Sequence, residues 1–138
     1  MQKQDNQEGM QKKYLELQII VQQINQLQQQ LINIQNQLLE LNNLRENLNN
    51  IKDLKENTES FASLGYNIFI KTKVQDTNEL LVNVGSNVFV IKNIEETNSL
   101  INSQMKQLEL IIRELEDKLN ELGNTGQVLE SEILDLNK

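Results

Sequence analysis

The chain has 138 residues, no proline, cysteine or histidine, and a formal net charge of −7. The missing side chains exclude disulfides, thiol nucleophiles, Cys/His zinc sites and imidazole general bases, and the acidic balance tells against nucleic acid, whose phosphates need a basic footprint. No apolar run is long enough to cross a bilayer and Met1-Gln-Lys-Gln-Asp5 lacks a signal-peptide core, so a soluble, cytoplasmic, single-domain protein (1–138) without a membrane role is expected.

The first predicted element is a helix over about 10–57. Leu17, Ile20, Ile24, Leu27, Leu31, Ile34, Leu38 and Leu41 alternate three and four apart, which is the coiled-coil heptad. Arg45 then takes a seam position while Leu44, Leu48, Ile51 and Leu54 carry the stripe onward, the pattern of a stammer near 41–44. Gln23, Gln30 and Gln37 flank the seam on one side and Gln28, Gln35 and Asn42 on the other, so the flanks give little ion-pair guidance to partner choice. The glutamine run reads as the solvated face of a coiled coil.

The stretch from about 59 to 92 is the one part that does not read as helix. β-branched and aromatic residues dominate it, and Gly65, Asp76-Thr-Asn78 and Gly85-Ser-Asn87 stand where tight turns belong, which predicts two β-hairpins. Ile68, Ile70, Thr72 and Val74 share one face of the second strand, with Asn67, Phe69, Lys71 and Lys73 on the other. Leu80, Val82 and Val84 share one side of the third. Val88, Phe89, Val90 and Ile91 are apolar on both faces of the fourth, and such a strand has to be covered on both. So small a block cannot cover itself, so it calls for other chains.

A second helix is predicted over about 93–136, with Asn93 and Glu96 as a capping box and Glu95 at the positive end of the helix. Ile101, Met105, Leu108, Ile112, Leu115, Leu119, Leu122, Gly126, Leu129, Ile133 and Leu136 keep a four-three spacing. Gly123 and Gly126 fall in one turn of it and cost roughly 1 kcal/mol each relative to alanine, so a weak point is expected there rather than a close approach of backbones. At 1.5 Å per residue each helix is on the order of 70 Å long, and two near-equal helices joined by a compact β block are expected to fold back as an antiparallel hairpin.

Glu114, Glu116 and Asp117 lie close in sequence, as do Glu95 and Glu96, but none falls on the seam and nothing suggests a cleft that would raise a carboxylate pKa. They read as a solvated face, Gly65 and Gly85 belong to no phosphate loop, and no enzyme, cofactor or metal is expected. Near the ends, Leu15, Val128 and Leu134 sit off the stripe while Met10, Tyr14, Leu129 and Ile133 sit on or beside it. They form either an ordinary frayed end or a small apolar surface that meets another protein.

The layout of helix, two hairpins and helix resembles the α class of prefoldin subunits, most closely from Leu64-Gly-Tyr-Asn-Ile-Phe-Ile through Val84-Gly-Ser-Asn-Val-Phe-Val-Ile-Lys92. Leu64-Gly65 stands where that family has a first Val-Gly turn, and Asp76-Thr77 and Val84-Gly85 fit the linking turn and the second Val-Gly. Two hairpins rather than one favour the α over the β class. The resemblance implies an α+β fold whose hairpins join a double β-barrel platform, in a hexamer of two α with four β-type subunits. Ile68, Ile70, Val82, Val84, Val88, Phe89, Val90 and Ile91 would then be interface residues. It also implies an ATP-independent chaperone that holds unfolded client proteins at its coiled-coil tips and passes them to a group II chaperonin; Met10, Tyr14, Leu15, Val128, Leu129, Ile133 and Leu134 would meet the client. A structural or filament-forming prefoldin-like coiled coil is the alternative.

Overall fold

The computed structural model describes residues 2–137, arranged as helix α1 (Gln2–Ile51), strands β1 (Thr58–Gly65), β2 (Ile68–Val74), β3 (Leu80–Asn83) and β4 (Phe89–Lys92), and helix α2 (Ile94–Leu136). No described helix is long and apolar enough to cross a membrane. The chain divides into two compact units. One holds the residues up to Gln37 with those from Leu108 onward; the other is Leu38–Gln107.

In the first unit α1 and α2 run antiparallel, and the heptad accounts for what is covered. Leu17, Ile24, Leu27, Leu31 and Ile34 are half-buried and Ile20 is buried, while the glutamines between them are exposed. Leu115, Gly126, Leu129 and Ile133 are the buried residues of the facing seam. α2 runs unbroken through its two glycines. A methyl group added at Gly126 would sit 3.7 Å from Ile20 Cγ2 and 3.9 Å from Leu17 Cδ1, so two side chains of α1 seat over the bare backbone. The atoms nearest Gly126 are side-chain carbons and nothing lies within 4 Å of Gly123, so no backbone comes close at either glycine. Lys13, one heptad step before Leu17, also lies on the seam and is half-buried; its ammonium is 2.7 Å from Glu132 Oε2 on α2.

In the second unit the core is Leu48, Ile94, Ile101 and Met105, with Leu38, Leu41, Ile51 and Leu80 packed around it. The stammer expected at 41–44 is absent. Leu44 is exposed and Arg45 holds the seam, so the three-four spacing runs on through Leu38, Leu41, Arg45 and Leu48. Arg45 tolerates the position because its Nη2 donates to Asn42 Oδ1 at 2.8 Å and its Nη1 to Asn102 Oδ1 across the seam at 3.3 Å. The change of step falls later, between Leu48 and Ile51. There α1 stops, about six residues before the expected end, and Leu54 stays exposed outside it. Asn57 adopts a left-handed φ of 65° and its N–H bonds Val74 O at 2.8 Å, so the chain has already joined the first hairpin.

The four strands form two separate two-stranded antiparallel sheets, β1-β2 and β3-β4, with no closed barrel in the single chain. Both hairpins use the same device. Tyr66-Asn67 and Ser86-Asn87 all have positive φ, which is the type I′ condition that matches strand twist, and each pair follows a glycine at φ 109° or 126°. At the second turn Val84 and Val88 close the ladder, with Val84 N–H donating to Val88 O at 2.9 Å. Asp76 Oδ1 accepts the N–H of Asn78 at 2.7 Å and so shapes the link between hairpins. α2 starts as expected at Asn93, whose Oδ1 accepts the Glu96 N–H at 2.7 Å. Glu96 itself reaches toward Lys92, 4.0 Å away, and Thr97 is buried with its hydroxyl donating to Asn93 O at 2.8 Å.

Candidate functional site

Two groups of exposed apolar side chains stand out. The first lies on the hairpins. In β3-β4 the register pairs Leu81 with Ile91, Val82 with Val90 and Asn83 with Phe89. Strand alternation therefore puts Leu80, Val82 and Val90 on one face, which is half-buried where Leu80 packs on the core. The opposite face is bare: Leu81 is 69%, Ile91 66% and Phe89 53% exposed. Val84 and Val88 beside the turn are exposed as well.

The β1-β2 hairpin is bare on both faces toward its turn. Its register pairs Ala62 with Ile70 and Gly65 with Ile68 on one face, and Phe61 with Lys71 and Ser63 with Phe69 on the other. Ile68, Ile70, Phe61, Phe69, Leu64 and Tyr66 are all exposed. A Lys71–Glu59 ion pair of 3.3 Å lies on the Phe61 face, fully in solvent reach and worth little. Exposed apolar surface beside free sheet edges is surface that a further strand or chain can cover.

All eight residues expected at an interface lie on these hairpins. Val82 and Val90 lie on the half-covered face, where the chain's own core takes part of their surface, and the other six are exposed. Sequence reading passed over Leu81, Phe61, Leu64, Tyr66 and Phe69, although the period of two starting at Leu80 already places Leu81 opposite Val82.

The second group is near the chain ends, in the unit that contains Gly126, and its members do not share one face, since Val128 and Leu134 lie about 120° apart around α2. Tyr14, Leu15, Val128 and Leu134 are exposed, and Met10 is half-buried. Leu129 and Ile133, at 8% and 5% exposure, are seam residues covered within the coiled coil, so they are in no position to touch another molecule while the seam is closed. The neighbouring Lys13–Glu132 pair is a feature that counting apolar residues could not find.

The acidic residues Glu114, Glu116 and Asp117 are exposed along α2, and Glu95 and Glu96 belong to its first turn. No group of three or more acidic side chains among the described residues is arranged to hold a metal ion.

Comparison with known proteins agrees with the fold. The family model for the prefoldin subunit matches residues 20–137. Among solved structures, a chain of filamentous PFD from Methanocaldococcus jannaschii is similar with a TM-score of 0.76 at 23% sequence identity, covering 83% of this chain and 95% of that one. No curated protein matches the sequence.

Proposed function

The chain belongs to the prefoldin family, and from that premise we propose that it is an α-class subunit of an ATP-independent holdase that captures unfolded proteins. The observation that carries this reading is the bare apolar face of Leu81, Phe89 and Ile91, together with the exposed first hairpin. Burial at about 25 cal/mol of free energy per Å² makes such a surface an assembly site. The partners it fits are β-type prefoldin subunits, two α with four β, whose strands would complete the two open sheets. The possession of two hairpins supports the α class. Tyr14, Leu15, Val128 and Leu134, with Met10 beside them, are the client-binding surface, and Leu129 and Ile133 support it from within the seam. A group II chaperonin is the acceptor of the held client. The chain acts in the cytoplasm, with no nucleotide, cofactor or metal in the work.

A second reading is a filament-forming subunit. It is favoured by the similarity to a chain from a filamentous assembly and by sheet edges that a second copy could extend. Mixing the chain with β-type subunits separates the two: a discrete hexamer supports the holdase particle, and open-ended polymers support the filament.

A further inference from the structure

Residues Leu17 to Leu39 of α1 contain no charged side chain, in a chain whose net charge is −7. α2 is the reverse, with Glu109, Glu114, Glu116, Asp117 and Glu121 set against Arg113 and Lys118. Within the unit up to Gln37, the neutral stretch also carries apolar residues that its seam does not use. Val21 and Ile32 are about half exposed and eleven residues apart. At 3.6 residues per turn that is about three turns, so they stand nearly in line along the helix. Asn25 and Gln28 lie between them on the same line and are exposed. Beside Val21 a shallow groove of about 490 Å³ is lined by Tyr14, Leu17, Gln18, Val21 and Gln22, without a charge in it.

We propose that this neutral face of α1 is a contact surface for the same face of a second copy of this chain. Two features select that occupant. An acidic chain repels its own copies wherever charge meets charge, and this is a long helical surface on which it does not. The face is also self-complementary: a side-chain amide both donates and accepts, so an asparagine of one copy and a glutamine of the other satisfy each other twice across a twofold axis, as an isologous contact requires. Set antiparallel about a point between Asn25 and Gln28, Val21 of one copy meets Ile32 of the other, and Asn25 meets Gln28. The contact uses the unit that holds the chain ends and not the hairpins, so it is independent of the assembly proposed above.

The test uses the full chain carrying Phe89→Asp and Ile91→Asp, which removes association through the second hairpin's bare face. Sedimentation velocity over rising concentration is expected to show reversible dimers, strengthened by added salt as the net charge is screened. Adding Val21→Glu with Ile32→Glu should weaken the dimer at least tenfold, and Val21→Gln with Ile32→Gln, which keeps the face neutral, should weaken it less; unchanged helical circular dichroism shows that the variants are folded. Because the chain has no cysteine, a short bismaleimide reports contact directly: Asn25→Cys should crosslink copies and Asp117→Cys on α2 should not. A chain that stays monomeric, dimers that survive the Val21 and Ile32 changes, or equal crosslinking from both cysteines would overturn the proposal.

Discussion

Lys13 Nζ lies 2.7 Å from Glu132 Oε2, although Lys13 occupies a seam position that the next eight seam residues, Leu17 to Leu41, fill with aliphatic side chains. Both side chains keep about a third or more of their surface in solvent, so the ion pair itself is worth at most about 1 kcal/mol. A polar residue in a heptad seam gives up stability and specifies register. Glu132→Gln should therefore lower stability by less than about 1 kcal/mol. Lys13→Leu should raise it by about 1 kcal/mol, a few degrees in melting temperature. Thermal melts followed by circular dichroism check both, and a Lys13→Leu protein that melts lower would show that the pair holds this end of the coiled coil together.

Gly126 makes a separate prediction. A β-carbon there meets Ile20 and Leu17 at ordinary van der Waals distance, and the backbone is helical. Gly126→Ala should stabilise by about 0.5–1 kcal/mol through helix propensity and added contact. Gly126→Leu should destabilise, because Leu17 and Ile20 already fill the space and overpacking costs about 1–3 kcal/mol. Denaturant titration of the two variants should move the midpoint in opposite directions; movement in the same direction would contradict the seated seam.

The bare hairpin face predicts how assembly fails. Phe89 and Ile91 point away from the chain's own core, so Phe89→Asp with Ile91→Asp leaves the single chain folded at little cost. In an assembly the same carboxylates would be buried without partners, at several kcal/mol. The variant should show native helical content and no particle with β-type subunits in sedimentation. Val90→Asp should behave differently and reduce the stability of the single chain as well, since Val90 is half-buried against Val82. An intact hexamer from the Phe89 and Ile91 variant would remove those residues from the interface.

The prefoldin architecture was legible because its two periodicities are clean. Aliphatic residues at three-four spacing specify a seam whether or not the partner helix is known, and Gly65 and Gly85 mark turns whose φ values few other residues adopt. Coverage was harder to read. β4 is apolar on both faces, and it is the packing of Leu80 on the Leu48 and Ile94 cluster that leaves Phe89 and Ile91 bare. At the chain ends Val128 and Leu129 are adjacent and similar in character, yet one is exposed and the other buried, a difference set by the phase of the seam. Lys13 and Arg45 broke the apolar count while keeping the geometry, because long cations can lie along a seam and end on a partner's oxygen. That is why the stammer was expected some residues too early.

The most direct test of the account is protection of an unfolded model protein by the complex assembled with β-type subunits, in the absence of ATP. The chain should enter the complex, and the complex should suppress aggregation. The variant Tyr14→Ser, Leu15→Ser, Val128→Ser, Leu134→Ser should assemble normally, because none of these residues belongs to the Leu38–Gln107 unit that carries the hairpins. It should protect measurably less, since each apolar side chain that a client would cover is worth at most about 1.5–3 kcal/mol, and the variant removes four of them together. Protection by the variant complex equal to that of the intact one would show that this surface is a frayed end and does not capture clients, and no protection by either would contradict the holdase reading itself.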